Sequence, residues 1–184
     1  MKTAAITALL FCLGSFASAQ MGKESSPNTA NPIVTTVRQM EGRYAKNLTG
    51  AADEMPADKY SYRPTPEQIT FGHLMMHVAE ANYAFCAAVS GETKPETKLS
   101  ETDTKDVLSK AVKDSFAYCE KALSKADDGT FGQAVTLVQG QSPTTRGAVV
   151  VRMVAGWADH YSAAAMYLRL NNLLPPSAKP EATH

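Results

Sequence analysis

This sequence has no surplus of either charge: 18 Lys and Arg stand against 18 Asp and Glu in 184 residues. A protein that grips nucleic acid through its phosphates carries a basic excess or a basic block, so no nucleic-acid partner is expected. Glycine-rich phosphate loops, fixed-period repeats and runs of strand-type alternation are also missing. Cysteine is scarce, with three residues, and histidine hardly more common, with four. Beyond the first twenty residues no apolar run approaches the roughly 20 residues that a bilayer span needs. What is there, 44% hydrophobic and 20% charged residues, is the make-up of one globular domain and not of a disordered chain.

Met1-Lys2 is a short basic start, Ala4 to Phe16 is an apolar run, and Ala17-Ser18-Ala19 is a small-residue cleavage pattern. This is the three-part layout of a secretory signal peptide. A membrane anchor is the alternative, but the run is too short and ends in small residues. Residues 1–19 are therefore expected to be removed, leaving a periplasmic or secreted protein with no stable membrane anchor. Residues 20–30 read as a flexible leader. The remaining 165 residues suffice to bury about 68–70% of the unfolded surface, so a metal would serve function more than folding.

Four segments carry helical periodicity. Asn31-Pro32 opens the first, as N-cap and first helical residue, with apolar positions at Ile33, Val34, Val37, Met40, Tyr44, Leu48 and Ala51. A proline-rich connector follows over 55–64. Thr65 with Gln68 resembles a capping box, with Thr70 as a second possible cap. The second helix then runs through Leu74, His77, Ala81 and Phe85 to a Gly91 C-cap. A polar loop with Pro95 precedes a third stripe, Leu108 to Leu123. Residues 131–138 show no decisive pattern. Ser142-Pro143 reads as the start of the last helix, about Thr144 to Asn171, which is apolar nearly all round and so expected to be the most buried. Leu174-Pro175-Pro176 stops it, and 177–184 form a polar tail. The fold class is all-α: a four-helix bundle over 31–176.

His77 shares the stripe of Leu74, Ala81 and Phe85. His160 shares that of Met153, Trp157, Ala164 and Tyr167. Both are expected to face inward, and two such histidines from different helices can converge in a bundle. A lone inward histidine is more often a core residue, but two of them in so few raise the prospect of a metal site. His73, four residues before His77, is a candidate third ligand, with Glu80 next. Arg152 and Asp159 share an outward face. Trp157 and Tyr167 are expected in the core.

The stretches Met55-Pro56-Ala57-Asp58-Lys59-Tyr60, Phe71-Gly72-His73-Leu74-Met75-Met76-His77-Val78-Ala79 and Asp159-His160-Tyr161, with Tyr167-Leu168-Arg169-Leu170-Asn171 and Pro175-Pro176, resemble in order and spacing the DinB-like superfamily. These are bacterial four-helix bundles, among them thiol-dependent transferases and metal-dependent hydrolases. The resemblance implies metal ligands at His77 and His160. The family's partner ligand on the last helix falls at 156 or 164, where this chain has Gly156 and Ala164. His73, or water with a carboxylate, would have to replace it, or the metal is gone. Neutral imidazoles suit zinc or nickel.

Cys12 leaves with the signal. Cys86 and Cys119 form an even pair in an oxidising compartment and are expected to bond. Asn47-Leu48-Thr49 matches a glycosylation acceptor but sits in a predicted helix. Three functions compete: an exported metal-dependent hydrolase of an unknown small molecule, a metal-free bundle that binds a small ligand or partner, and a homodimerising module.

Overall fold

A computed structural model describes residues 30–137 and 142–180 of the chain. The expected signal peptide and nearly all of the leader lie outside the described residues. The four helices are α1 (Pro32–Glu54), α2 (Phe71–Ser90), α3 (Lys105–Ser124) and α4 (Arg146–Leu170). Two residues of strand on each side, β1 (Ala134–Val135) and β2 (Thr144–Thr145), pair antiparallel just before α4. Ala134–Val135 lies within the stretch over which the sequence pattern is silent. Among the described residues no helix is long and apolar enough to cross a membrane.

Side-chain partners fix the helix directions. Asn82 meets Ser115, Cys86 meets Cys119 and Glu92 meets Lys125, a constant offset, so α2 and α3 run parallel. Against α3, Arg38 reaches Leu123 while Asp53 reaches Ser109, so α1 runs the other way. Against α2, Phe71 meets Tyr167 and Asn82 meets Trp157, so α4 is antiparallel to it. The order is up, down, down, up, with α1 and α2 on a diagonal and α3 and α4 packed against both. A parallel α2–α3 pair demands a connection as long as the bundle. A 20-residue helix spans about 30 Å, and residues 92–103 cross that distance as an extended strap.

The helix starts differ from the sequence expectation for local physical reasons. Thr70, not the Thr65–Gln68 pair, caps α2 by accepting from the His73 backbone N–H at 3.0 Å. Thr145, not Ser142, caps α4 by accepting from the Ala148 N–H at 3.2 Å, because Ser142 and Pro143 lead into β2. Asn31 precedes α1 but its side chain caps nothing there. The carboxylate of Asp128, in the turn after α3, accepts from the Ile33 and Val34 N–H groups at 2.9 and 2.8 Å. Asn31 instead accepts from the Asp128 N–H at 3.0 Å. Arg38 completes this end by donating to the Leu123 and Ser124 carbonyls at the C-terminus of α3.

The core is built from Val34, Leu48, Phe71, Met75, Leu108, Val112, Met153 and Leu168, each almost fully buried. A polar relay crosses it. The Trp157 indole N–H donates to Asn82 Oδ1 at 2.7 Å, Asn82 Nδ2 donates to Ser115 Oγ at 3.0 Å, and Ser115 donates to the Val112 carbonyl at 2.8 Å. One turn further along, Cys86 and Cys119 form the expected disulfide, with Cα atoms 5.1 Å apart. The last helix is not the most buried. Val151, Met166 and Leu170 of α4 are exposed, and α2, flanked by α3, α4 and the strap, is the more enclosed. Asn47, in the glycosylation pattern, is buried. At the far end Tyr161 donates to Ser177 Oγ at 2.6 Å, and Lys179 pairs with Glu54 at 2.7 Å, so the start of the polar tail is held to the bundle.

Candidate functional site

Leu74, Val78 and Asn82 of α2 point into the core. His77 lies one residue, or about 100°, back from Val78, which carries it out of the core. It is exposed rather than inward-facing. From α4, His160 sits one turn after Gly156 and is half-buried, just past the buried Trp157. The two rings nevertheless meet across the α2–α4 seam, with centroids 4.9 Å apart and planes at 54°. Burial, and then the neighbouring His77, hold the His160 pKa below its ordinary value. A backbone hydrogen bond to Gly156 partly opposes them. His160 is thus a neutral imidazole at neutral pH, with a nitrogen lone pair to offer.

Beside the His160 ring lies a small cleft walled by Phe85, Met153, Gly156 and Trp157, with about 10 Å³ of free volume, room for about one water molecule. A Cβ built on Gly156 would lie 3.5 Å from the His160 ring, in ordinary contact. Packing therefore does not demand glycine there.

His73 turns away from this pair. Its Nδ1 is 2.5 Å from Glu101 Oε2 on the strap. Glu80 is half-buried beside Thr97, and Ala164 is fully buried. Among the described residues no three His, Cys, Asp or Glu side chains are grouped so as to share an ion. The donor set can be tested against a metal. With Zn–N of about 2.1 Å, two imidazoles on one tetrahedral ion have centroids about 5 Å apart. His77 and His160 match that spacing. A catalytic zinc takes three protein ligands, and the third is not supplied.

A larger groove of about 400 Å³ opens at the end of the bundle, between Ala57–Ser61 and Glu101–Lys105. Three of its polar groups are engaged within the fold: Glu101 with His73, Lys105 with the Asp53 carbonyl, and Tyr60 with the Ala52 carbonyl. Sequence reasoning overlooked one group elsewhere, Glu41. It takes its turn in the core stripe Val34, Val37, Glu41, Tyr44, Leu48, is 7% exposed, and has its pKa pushed up to about 7 by burial and then by Glu120. A carboxylate in a core position was the signal.

The sequence matches the profile of the DinB superfamily over residues 42–164. No curated protein is detectably similar in sequence. Among solved structures the chain resembles a DinB-like protein from Bacillus subtilis, at 15% identity and a TM-score of 0.62, over 74% of this chain and 92% of that one. It also resembles a DinB-like protein from Bacillus cereus, at 13% identity and a TM-score of 0.63, over 77% and 95%. A mycothiol-dependent maleylpyruvate isomerase is similar at 16% identity and a TM-score of 0.56. There the match spans 70% of this chain but 59% of the longer enzyme. At these identities the likeness concerns the fold.

Proposed function

Since the chain belongs to the DinB superfamily, we propose that it is an exported member in which His77 and His160 hold one divalent ion, zinc or nickel, and leave the other coordination positions to water and a small-molecule ligand. The observation that carries this reading is the pairing of the two rings from separate helices at a spacing that suits one ion. Such an ion, when bound, lowers the pKa of coordinated water and polarises a carbonyl, the chemistry of a metal-dependent hydrolase. The protein's own part is to present a neutral His160, to keep apolar walls on one side of the site, and to leave the His77 side open to solvent. Because only two protein donors converge, the ion is expected to bind more weakly than in a three-ligand site, and a substrate carboxylate or carbonyl is the natural completing ligand. Thiol transfer is a weaker reading, since an exported protein is removed from the cytosolic thiol pool.

A second reading, a metal-free bundle that binds a small ligand or a partner, is favoured by Gly156 and Ala164 at the missing ligand position and by the engagement of His73 with Glu101. Elemental analysis and calorimetry of untagged protein offered zinc or nickel decide between them. One ion per chain, lost in both His77→Ala and His160→Ala and kept in His73→Ala, supports the two-histidine site. Absence of a stoichiometric ion under all these conditions leaves the metal-free bundle.

A further inference from the structure

The strap between α2 and α3 turns every second side chain toward the bundle. Pro95, Thr97 and Leu99 are half-buried, while Lys94, Glu96 and Lys98 between them are exposed. This alternation has the period of a β-strand. Among the described residues, however, the only paired strands are β1 and β2, which pair with each other. The backbone N–H and C=O groups of 93–99 make no hydrogen bond to any described residue. Successive residues of a strand point these groups to opposite edges. Pro95 removes a donor from the edge formed by 95, 97 and 99. The edge of Lys94, Glu96 and Lys98 keeps every donor and acceptor. Between the strap and α3 runs a groove of about 280 Å³, walled by Tyr83, Leu99, Val107, Lys110 and Ala111. Val107 is 45% exposed there.

We infer that the Lys94–Glu96–Lys98 edge of the strap is a docking site for an extended segment of a partner protein, which adds to it as an antiparallel strand. In such strand addition, main-chain hydrogen bonds supply affinity and side chains supply selectivity. Lys94, Glu96 and Lys98 alternate in sign, and none belongs to an ion pair among the described residues. The strand opposite them is favoured when it presents acid, base and acid in turn. Its intervening side chains turn inward to the groove, where Tyr83, Val107 and Ala111 favour apolar groups. The segment therefore reads acidic, apolar, basic, apolar, acidic. Neither 20–29 nor 181–184 carries that order, so the ends of this chain do not supply it. The docking edge lies on the α2–α3 flank, apart from the α2–α4 seam where the histidines meet.

The test is fluorescence anisotropy of a labelled synthetic peptide containing Glu-Val-Lys-Val-Glu, titrated with the mature protein. Saturable binding is expected. The charge-reversed peptide, Lys-Val-Glu-Val-Lys, is expected to bind about tenfold or more weakly. The triple variant Lys94→Glu, Glu96→Lys, Lys98→Glu is expected to exchange the two preferences. Its three side chains are exposed, and circular dichroism verifies that the helices persist. In an antiparallel pair the charged peptide residues carry the N–H groups that face the strap. N-methylation of those residues is expected to abolish binding, and N-methylation of the valines to be tolerated. Absence of saturable binding up to about 1 mM, equal binding of the two peptides, or indifference to which amides are methylated overturns the inference. Self-association of the wild type that the triple variant loses also overturns it, because the occupant would then be a second copy of this chain.

Discussion

The Asp128 carboxylate caps Val34 from 94 residues away in the chain, accepting the Val34 backbone N–H at 2.8 Å and that of Ile33 at 2.9 Å. A helix N-terminus presents unpaired N–H groups and a partial positive charge, and here the answering anion comes from the turn after α3. Asp128→Ala is expected to cost about 1–2 kcal/mol, and Asp128→Asn less, because the amide oxygen still accepts one bond. Urea unfolding of the three proteins at neutral pH measures the difference. Equal stability of Asp128→Ala and wild type would show that water serves α1 as well.

Glu41 introduces a pH dependence of one sign. Its folded pKa is about 7 against an ordinary 4.5, so between those values the folded state holds more proton than the unfolded one. Its contribution is fully present below about pH 4.5 and is lost as pH rises through 7. Glu41→Gln is therefore expected to be near neutral at pH 5 and stabilising at pH 8, on the order of 1–3 kcal/mol. Paired denaturation curves at the two pH values read this directly, and a variant equally stable to wild type at both would place the carboxylate in contact with water.

His160 acts in the opposite direction. Its folded pKa is lowered by burial and by His77 from an ordinary 6.5, so the unfolded chain takes up the proton first as pH falls. The associated stability is intact above about pH 6.5 and is lost below it, down to the lowered folded value. His160→Asn should remove this acid-side loss while leaving stability at pH 8 little altered. Imidazole titration followed by NMR should find the His160 resonance moving at a lower pH than that of a free histidine; an ordinary midpoint would refute the assignment.

Gly72 lies where two connectors cross α2. A Cβ there would come 2.7 Å from the Glu101 carbonyl and 3.2 Å from that of Tyr60, both backbone atoms. Gly72→Ala is expected to destabilise by about 1–3 kcal/mol through overpacking, despite alanine's better helix propensity. Thermal unfolding checks the sign, and a stabilised variant would mean that the connectors yield freely.

The helices were readable in the sequence because their apolar residues recur with the helical period, and the Cys86–Cys119 bond because the two thiols form an even pair. Directions were not readable. The polar stretch 92–103 suits a floppy loop as well as a full-length strap, and only the matched partners of α2 and α3 distinguish the two. The meeting of His77 with His160 was legible, but the exposure of His77 was not. A stripe wide enough to include Leu74, Ala81 and Phe85 also includes its own rim, where one residue's rotation separates core from solvent. The low charge of α4 was read as burial, although composition alone cannot say on which side a helix finds its neighbour. The Asp128 cap was invisible, since nothing near Val34 in the chain announces it.

The strap and the disulfide together have a topological consequence. The chain from Cys86 through residues 92–103 to Cys119 is a closed covalent ring, and its exposed strap holds no helix or strand. Exposed, irregular segments are where proteases cut. A single cut in this ring opens it without releasing either piece, since the bond still joins α2 to α3. The nicked protein would run as one band on a non-reducing gel and as two after reduction, so the two halves of the bundle stay joined after cleavage in the strap provided that its surroundings stay oxidising.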